Sequence, residues 1–282
     1  MRKMISRILY LAARKMAPAY IAGPRVEDAI GYCRKINALG WTSTVCPWDG
    51  PGDSSETVLA SYRQALIAIR KEGLDTVLSI KVPSLDYDAG RVRELAAIAA
   101  ESGVRIHFDA LGPETASASL ELLEKTAQHY PNLGYTLPAR WKRSAEDARQ
   151  LADLGVTIRI VKGQWADPVE ASIDPAENFF KLAAFLSGKP VRVAVATHDA
   201  ALARKSLAVV SGSGTPVELE QLFGLPICAN EVAAPFGIGT RVYIPYGHAY
   251  LPYAFSEIRK RPVILGWLAR DLIVGRSRRL PV

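Results

Sequence analysis

The sequence has few of the features by which several protein classes are recognised. Its three cysteines, Cys33, Cys46 and Cys228, are too few and too far apart for a disulfide framework or a zinc site, so they favour a reducing, cytoplasmic compartment. No run of about 18 or more apolar residues is present, which argues against a transmembrane helix. No G-x-G-x-x-G sequence follows the first predicted strand, which argues against an open dinucleotide-binding sheet.

Histidine is also scarce, and charge of one sign is not concentrated in a patch. His107, His129, His198 and His248 share no helix face, so no metal site is predicted. The net charge of +7 is spread along predicted helices without interleaved aromatics, which argues against nucleic-acid binding. The basic segment Met1–Pro18 is best explained as a first helix packed on the body. The alternatives are an interfacial helix in peripheral contact with the inner membrane and a targeting segment. The net positive charge also favours contact with an acidic carrier protein.

Eight short runs rich in β-branched residues alternate with segments whose apolar residues recur at helical spacing. Half of the residues (49%) are hydrophobic, which is enough for one large core. Helices are predicted over Ser55–Lys71 and Glu114–His129, and Ser144 with Asp147 is predicted to cap a further helix. The predicted strands are Trp41–Cys46, Thr76–Ile80, Arg105–Phe108, Leu133–Leu137, Val156–Val161, Val191–Ala196, Pro216–Leu219 and Thr240–Ile244.

This alternation predicts an α/β fold with a parallel sheet, and eight strands are the number that closes a (β/α)8 barrel. An open doubly wound sheet is the alternative. We expect a single domain over residues 1–282, with N-terminal helices in 1–40, the barrel in 41–275 and a basic tail in 276–282.

The run Arg159–Trp165 is the most informative segment for function. A guanidinium on a buried strand is costly unless it is paired or meets a ligand. Lys162, Gly163 and Trp165, just beyond the strand, suit a flat anionic cofactor. The simpler interpretation is a snorkelling arginine followed by a turn.

Barrels place their chemistry at the carboxyl ends of the strands, and this rule selects further candidates. Lys81 and Asp109 are expected to meet as an ion pair, either structural or catalytic. Thr197 and His198 precede a helix whose N-terminus suits a phosphate. Lysines at strand ends also permit Schiff-base chemistry. The remaining strand-end candidates are Glu218, Glu220, Arg241 and Tyr243.

Read in order, six segments resemble motifs of the flavin-dependent proline dehydrogenase family over roughly residues 20–275. Each motif is weak alone, but six in the right order at strand ends are specific. The segments are Ser79-Ile80-Lys81 (S-[IV]-K), Phe108-Asp109-Ala110 (D-A-E), Arg159-Ile160-Val161-Lys162-Gly163 (R-L-V-K-G), Ala196-Thr197-His198-Asp199 (A-T-H-N), Glu218–Gly224 (E-F-Q-x-L-x-G) and Arg241–Gly247 (R-V-Y-V-P-Y-G).

The resemblance implies an FAD enzyme that moves a hydride from the carbon beside nitrogen to flavin N5. It implies that Arg159 lies near N5, where a cation would stabilise the reduced flavin. By the same resemblance, the other flavin contacts would come from Val161, Lys162, Gly163, Trp165, Thr197, His198 and Glu220, and the substrate contacts from Lys81, Asp109, Tyr243 and Tyr253.

The departures from the family pattern concern the substrate. Aligned through Tyr253, Ser256 and Glu257 replace the two arginines that clamp the proline carboxylate in the family, so repulsion replaces a strong attraction. A shift of one helical turn would instead bring Arg259 and Lys260 to that place. Flavin contacts are also thinned, because Pro138, Asp199 and Glu220 stand where the family has amide side chains.

These observations predict a flavin-dependent enzyme that oxidises the C–N bond of a cyclic or secondary amine to an imine. The substrate would be a proline derivative with a masked carboxylate, or a related amine. Free L-proline is the first alternative. A non-catalytic barrel that binds a ligand or partner, and a Schiff-base lyase, are the others. The electron acceptor, a quinone or oxygen, is left open.

Overall fold

The structure is a computed structural model that describes residues 21–50, 52–225 and 227–247. These residues form a closed barrel of eight parallel strands that pair in chain order, which confirms the predicted (β/α)8 fold and excludes the open sheet. The strands are β1 (Thr42–Pro47), β2 (Thr76–Ile80), β3 (Ile106–Phe108), β4 (Leu133–Pro138), β5 (Thr157–Val161), β6 (Val193–Ala196), β7 (Val217–Leu222) and β8 (Gly239–Tyr246).

Helices alternate with the strands and cover the outside of the barrel. They are α1 (Val26–Ala38), α2 (Ser55–Glu72), α3 (Ala89–Ala100), α4 (Ala116–Ala127), α5 (Ser144–Asp153), α6 (Pro175–Leu186), α7 (Ala200–Ser211) and α8 (Ala229–Val232). Within the described ranges, no helix combines the length and apolar character needed to cross a bilayer.

Helix α2 shows how local sequence signals position a site residue. Ser54 caps its first turn by accepting a hydrogen bond from the Thr57 N–H, and Gly73 ends the helix with a φ of 60°. The buried face of α2 includes Tyr62, whose hydroxyl accepts a hydrogen bond from the backbone N–H of Lys81 at 2.9 Å. The packing of α2 therefore fixes the backbone at the end of β2.

The helix predicted over Glu114–His129 is present but shorter, because a 3₁₀ turn, Pro113–Thr115, precedes an α-helix that runs from Ala116 to Ala127. The predicted capping pair is wrong. Helix α5 does begin at Ser144, but Ser144 does not cap it. Its hydroxyl donates instead to the Pro138 carbonyl at 2.5 Å.

Asp147, the other member of the predicted capping pair, instead forms an ion pair with Arg143 at 2.8 Å. A guanidinium one turn away outcompetes the capping geometry because it offers the carboxylate two charged donors.

The barrel interior is more polar than the usual packing of branched apolar side chains. His107 of β3 is fully enclosed and lies within 2.9 Å of the Thr136 hydroxyl. Gly134 on the neighbouring strand makes room for it, because a Cβ at this position would collide with the imidazole. Burial and the nearby arginines, first among them Arg159, hold the pKa of His107 well below 6.5, so this imidazole is neutral.

Candidate active site

A cavity of about 470 Å³ opens at the carboxyl ends of strands β3 to β8. Barrels of this fold place their chemistry at this end. Most of the predicted site residues meet here, although they are far apart in sequence. Those that line the cavity are Asp109, Arg159, Val161, Gly163, Trp165, Thr197, His198, Glu220 and Tyr243.

Arg159 lies on the floor of this cavity and is paired twice. Its Nε and Nη2 bind the two oxygens of Glu220 at 2.7 and 2.8 Å, and its Nη1 binds Asp109 Oδ1 at 2.8 Å. Burial alone would lower the pKa of Arg159, but these carboxylates outweigh burial and raise it. The guanidinium is therefore permanently charged, and the snorkelling interpretation is wrong because the side chain is only 4% exposed.

The Asp109 carboxylate joins four strands. Besides Arg159, it accepts hydrogen bonds from the Thr136 hydroxyl at 3.2 Å and the Tyr243 hydroxyl at 2.7 Å, and it lies 3.7 Å from Cys46 Sγ. Burial raises the pKa of the Cys46 thiol to about 12, so that residue is a neutral donor and not a nucleophile.

Lys81 does not form the predicted ion pair with Asp109. Its Nζ binds Asp49 Oδ1 at 2.9 Å and the Pro47 carbonyl at 3.2 Å. These acceptors lie at the last residue of β1 and just beyond it, and Asp109 is already held by Arg159 and Tyr243. Burial lowers the pKa of Lys81, but the neighbouring groups outweigh it and raise the pKa above its usual value. A lysine held as ammonium is a poor amine nucleophile, which counts against the Schiff-base hypothesis for this residue.

The start of α7 is less open to an anion than the sequence predicts. Asp199 caps this helix by accepting from the Leu202 N–H at 3.1 Å, and it binds Lys162 Nζ at 3.0 Å. The Asp199 carboxylate therefore already occupies part of the helix N-terminus that an anion would use. It also neutralises Lys162, and Lys162 does not line the cavity. His198 lines the cavity, and its Nε2 accepts a hydrogen bond from the Leu222 N–H at 2.8 Å, so that nitrogen is unprotonated.

The loop after β5 forms one wall of the cavity. Gly163 adopts a φ of 86°, and a Cβ there would lie 3.0 Å from the Pro138 Cβ, so the turn requires glycine. Trp141 supports the loop by donating its indole N–H to the Trp165 carbonyl at 3.1 Å. The Trp165 ring remains 36% exposed, so a broad aromatic surface is available to a ligand.

Two strand candidates lie below this cavity and do not line it. Glu218 binds Arg241 at 2.9 Å, and Arg241 also donates to the Ser43 carbonyl at 2.6 Å. Arg241 lines a separate pocket with Asp75, the residue before β2, so this pair belongs to the amino-terminal end of the barrel. The strand-end rule failed here because both residues lie near the start of their strands.

Each of three residues that no sequence motif marks holds a predicted site residue: Thr44 binds Glu220, Asp49 binds Lys81 and Thr136 binds Asp109. Tyr253, Ser256, Glu257, Arg259, Lys260 and His248 lie outside the described residues. Among those described, no three His, Cys, Asp or Glu side chains come together as a metal site.

The sequence model of one family, described as proline dehydrogenase, matches residues 51–253. The chain belongs to the proline dehydrogenase family. Proline dehydrogenase 1 of Bacillus subtilis strain 168 is 25% identical over 277 residues, which are 91% of this chain and 90% of the relative. The proline dehydrogenase of Deinococcus radiodurans is 24% identical over 290 residues and covers 94% and 93%. The chain is therefore an oxidoreductase of the proline dehydrogenase type.

Solved structures show the same fold. Proline utilization A (PutA) from Bdellovibrio bacteriovorus, inactivated by N-propargylglycine, superimposes on 87% of this chain with a TM-score of 0.76 and 18% identity. PutA from Corynebacterium freiburgense covers 92% with a TM-score of 0.65. The chain spans about a third of the length of these PutA proteins (32% and 33%).

The proline dehydrogenase family is flavin-dependent, and the cavity fits such a group. Pro138, Val161 and Leu222 offer apolar walls, and Trp165 offers an aromatic one. A few polar side chains converge on the floor, as in sites that orient a flat ring. These residues can hold the ring system of a flavin.

Proposed function

We propose that this protein binds FAD in the 470 Å³ cavity and oxidises the C–N bond of a cyclic or secondary amine to an imine. The observation that carries the proposal is the joining of Arg159, Asp109 and Tyr243 at the floor of that cavity. When bound, FAD supplies the acceptor for the hydride. The protein's part is to orient the substrate and to set the charge around the reacting atoms.

The roles of individual residues follow from their positions. Val161, Gly163 and Trp165 would hold the flavin ring over Arg159, and Thr197 and His198 would hold the distal part of the cofactor. Lys162 would act at the rim through its pair with Asp199. All these assignments agree with the motif resemblance, and all except that of Lys162 agree with the lining of the cavity.

The substrate would meet Asp109 and Tyr243, whose hydrogen bond fixes the direction of both polar groups. Lys81, held by Asp49, would face the substrate from the next strand end. The floor side chains Arg159 and Glu220 are 4% and 3% exposed, so the reacting end of the cavity would be drier than its opening, which favours hydride transfer. Tyr253, Ser256 and Glu257 complete the proposed substrate contacts on the basis of the sequence alone.

The purified protein should be yellow, with flavin absorbance that bleaches anaerobically when a suitable amine is added. A panel of cyclic and secondary amines, proline amides and esters, and free L-proline identifies the substrate class. A colourless protein that cannot be reconstituted with FAD would contradict the proposal and would favour a non-catalytic barrel that binds a ligand or partner.

Free L-proline is the second candidate substrate, because the relatives in Bacillus subtilis and Deinococcus radiodurans are proline dehydrogenases. The electron acceptor would be a quinone or oxygen. We propose a cytoplasmic location, with peripheral contact to the inner membrane or to an acidic carrier protein through the basic segments as the alternative.

A further inference from the structure

Glu220, which the motif resemblance assigns to cofactor binding, is bound closely by the protein. Its carboxylate is 3% exposed, and both of its oxygens are engaged by Arg159, at 2.7 and 2.8 Å. The Thr44 hydroxyl adds a third hydrogen bond at 3.1 Å. Both oxygens of Glu220 therefore have protein donors, and the charge of Glu220 acts on the cavity through its pairing with Arg159.

This pairing changes the charge of the cavity. Of the described residues that line it, Asp109 and Glu220 are acidic and Arg159 is basic, while His198 uses Nε2 as an acceptor. Two carboxylates and one guanidinium leave one formal negative charge. The nearby cations do not lie on the floor. Lys81 is paired with Asp49 and Lys162 with Asp199, and Arg140 donates to the Gly163 carbonyl and does not line the cavity.

Arg159 is also a poor anchor for an anionic ligand in this arrangement. Its Nε, Nη1 and Nη2 are all committed to carboxylates at 2.8 Å or less. An anion would have to compete with two charges that are already in place and partly desolvated. Asp109, in contrast, keeps a side-chain exposure of 13%. Its Oδ2 has one strong donor, the Tyr243 hydroxyl at 2.7 Å, beside the long contact to Cys46 Sγ at 3.7 Å, so an ammonium can approach this oxygen.

We infer that Glu220 is a specificity-determining residue: by neutralising Arg159 it makes the floor of the cavity anionic, so that the site selects the cationic ammonium of an amine substrate over a carboxylate. The inference rests on the proposed function, because it names the substrate class for the same cavity. It predicts recognition through the nitrogen of the substrate at Asp109, with no requirement for a second charged group.

Two ring ligands of similar size and opposite charge provide the test. The affinities of pyrrolidine and cyclopentanecarboxylate are measured by anaerobic calorimetry at pH 7.5 on the protein as purified, with its flavin content recorded. The wild type should bind pyrrolidine at least about tenfold more tightly, and Glu220→Gln should shift the ratio towards the anion by about tenfold. Glutamine keeps an acceptor for Arg159 while removing the charge.

Glu218→Gln is the matched control. It removes the same charge two residues earlier on β7, from a buried pair with Arg241 that does not line the cavity. In this variant, the ratio of the affinity for pyrrolidine to the affinity for cyclopentanecarboxylate should stay at the wild-type value. A wild type that binds cyclopentanecarboxylate as tightly as pyrrolidine would overturn the inference without any variant, and so would equal shifts in the two glutamine variants. The two affinities can be measured whether or not the purified protein contains flavin. A protein without flavin would therefore count against the proposed function and not against this inference.

Discussion

The phenol of Tyr243 on β8 donates a hydrogen bond to Oδ2 of Asp109, beyond β3, at 2.7 Å across the mouth of the barrel. The same tyrosine ring lies under the Arg159 guanidinium, with 5.1 Å between the guanidinium carbon and the ring centroid. One side chain thus orients the carboxylate and stacks on the cation. Burial raises the pKa of Tyr243 well above its usual value, so the phenol keeps its proton and remains a donor.

Tyr243→Phe should therefore lower kcat/KM for the amine substrate about tenfold or more while leaving the fold intact. Phenylalanine keeps the ring beneath Arg159 and removes only the donor to Asp109, a charged hydrogen bond of about 1.5–3 kcal/mol. Steady-state kinetics and thermal unfolding check this. Unchanged kinetics would show that Asp109 does not need this orientation.

Arg159→Ala should both destabilise the protein and reduce its flavin content or slow flavin reduction. The change leaves Asp109 and Glu220 as like charges without their shared partner, which costs about 3–5 kcal/mol when such a pair is buried. Denaturant unfolding, flavin absorbance and stopped-flow reduction measure the three effects. Arg143→Ala, which removes an ion pair from the outer helix α5, is the control for stability alone. Normal flavin content and reduction rate in folded Arg159→Ala would refute the assignment.

Asp109→Ala and Lys81→Ala should impair turnover more than folding. Each residue is partly exposed at a strand end. Loss of Lys81 leaves Asp49, which can be solvated, and loss of Asp109 leaves Arg159, which is still held by Glu220. Activity per folded molecule should fall at least about tenfold, while the melting temperature falls by only a few degrees. If the melting temperature falls and the activity of the folded fraction is retained, both residues are structural.

His107 predicts a pH dependence of stability. Its pKa is lowered in the fold from an unfolded value near 6.5, so the unfolded chain binds a proton that the folded protein does not. The stabilisation is complete above the unfolded value near pH 6.5 and is lost progressively as the pH falls below it. His107→Asn should flatten this decline in urea unfolding measured from pH 8 to 5. The exposed His129→Asn should leave it unchanged. Parallel curves for wild type and His107→Asn would contradict the prediction.

The fold was predictable because its signals are local. Strands such as Thr76–Ile80 are buried on both faces, and their β-branched runs stand out between helices such as α2. Arg159 was identifiable for the same reason, as a single cation in an apolar strand. Its cavity position followed from the rule that barrels use the carboxyl ends of their strands.

The pairings inside the barrel were not predictable, because they join residues far apart in sequence. Asp109 and Arg159 are 50 positions apart, and Thr44 and Glu220 are 176 apart. Such contacts depend on how far each strand is shifted against its neighbours, and local patterns do not report that shift. Lys81 was assigned to Asp109 for this reason, since the loop that carries Asp49 has no regular structure from which its path could be inferred.

The last prediction concerns Ser256 and Glu257, which lie outside the described residues: the protein should not oxidise free L-proline efficiently. The sequence offers a carboxylate where the family has two guanidiniums, and a missing charged partner costs roughly 2–5 kcal/mol. This corresponds to at least about tenfold and up to several thousandfold in affinity. The anionic floor formed by Asp109 and Glu220 adds no compensating attraction for a carboxylate. A proline amide or ester should therefore reduce the flavin faster than proline does, as measured by anaerobic bleaching.

Restoring the clamp with Ser256→Arg and Glu257→Arg together should shift the preference towards proline. The pair Ser256→Gln and Glu257→Gln is the control, because it adds bulk and removes the carboxylate without supplying a guanidinium. A wild type that handles proline as well as its amide would contradict the prediction. So would a loss of proline oxidation after replacing Arg259 and Lys260 by glutamine, because that result would assign the clamp to the shifted register.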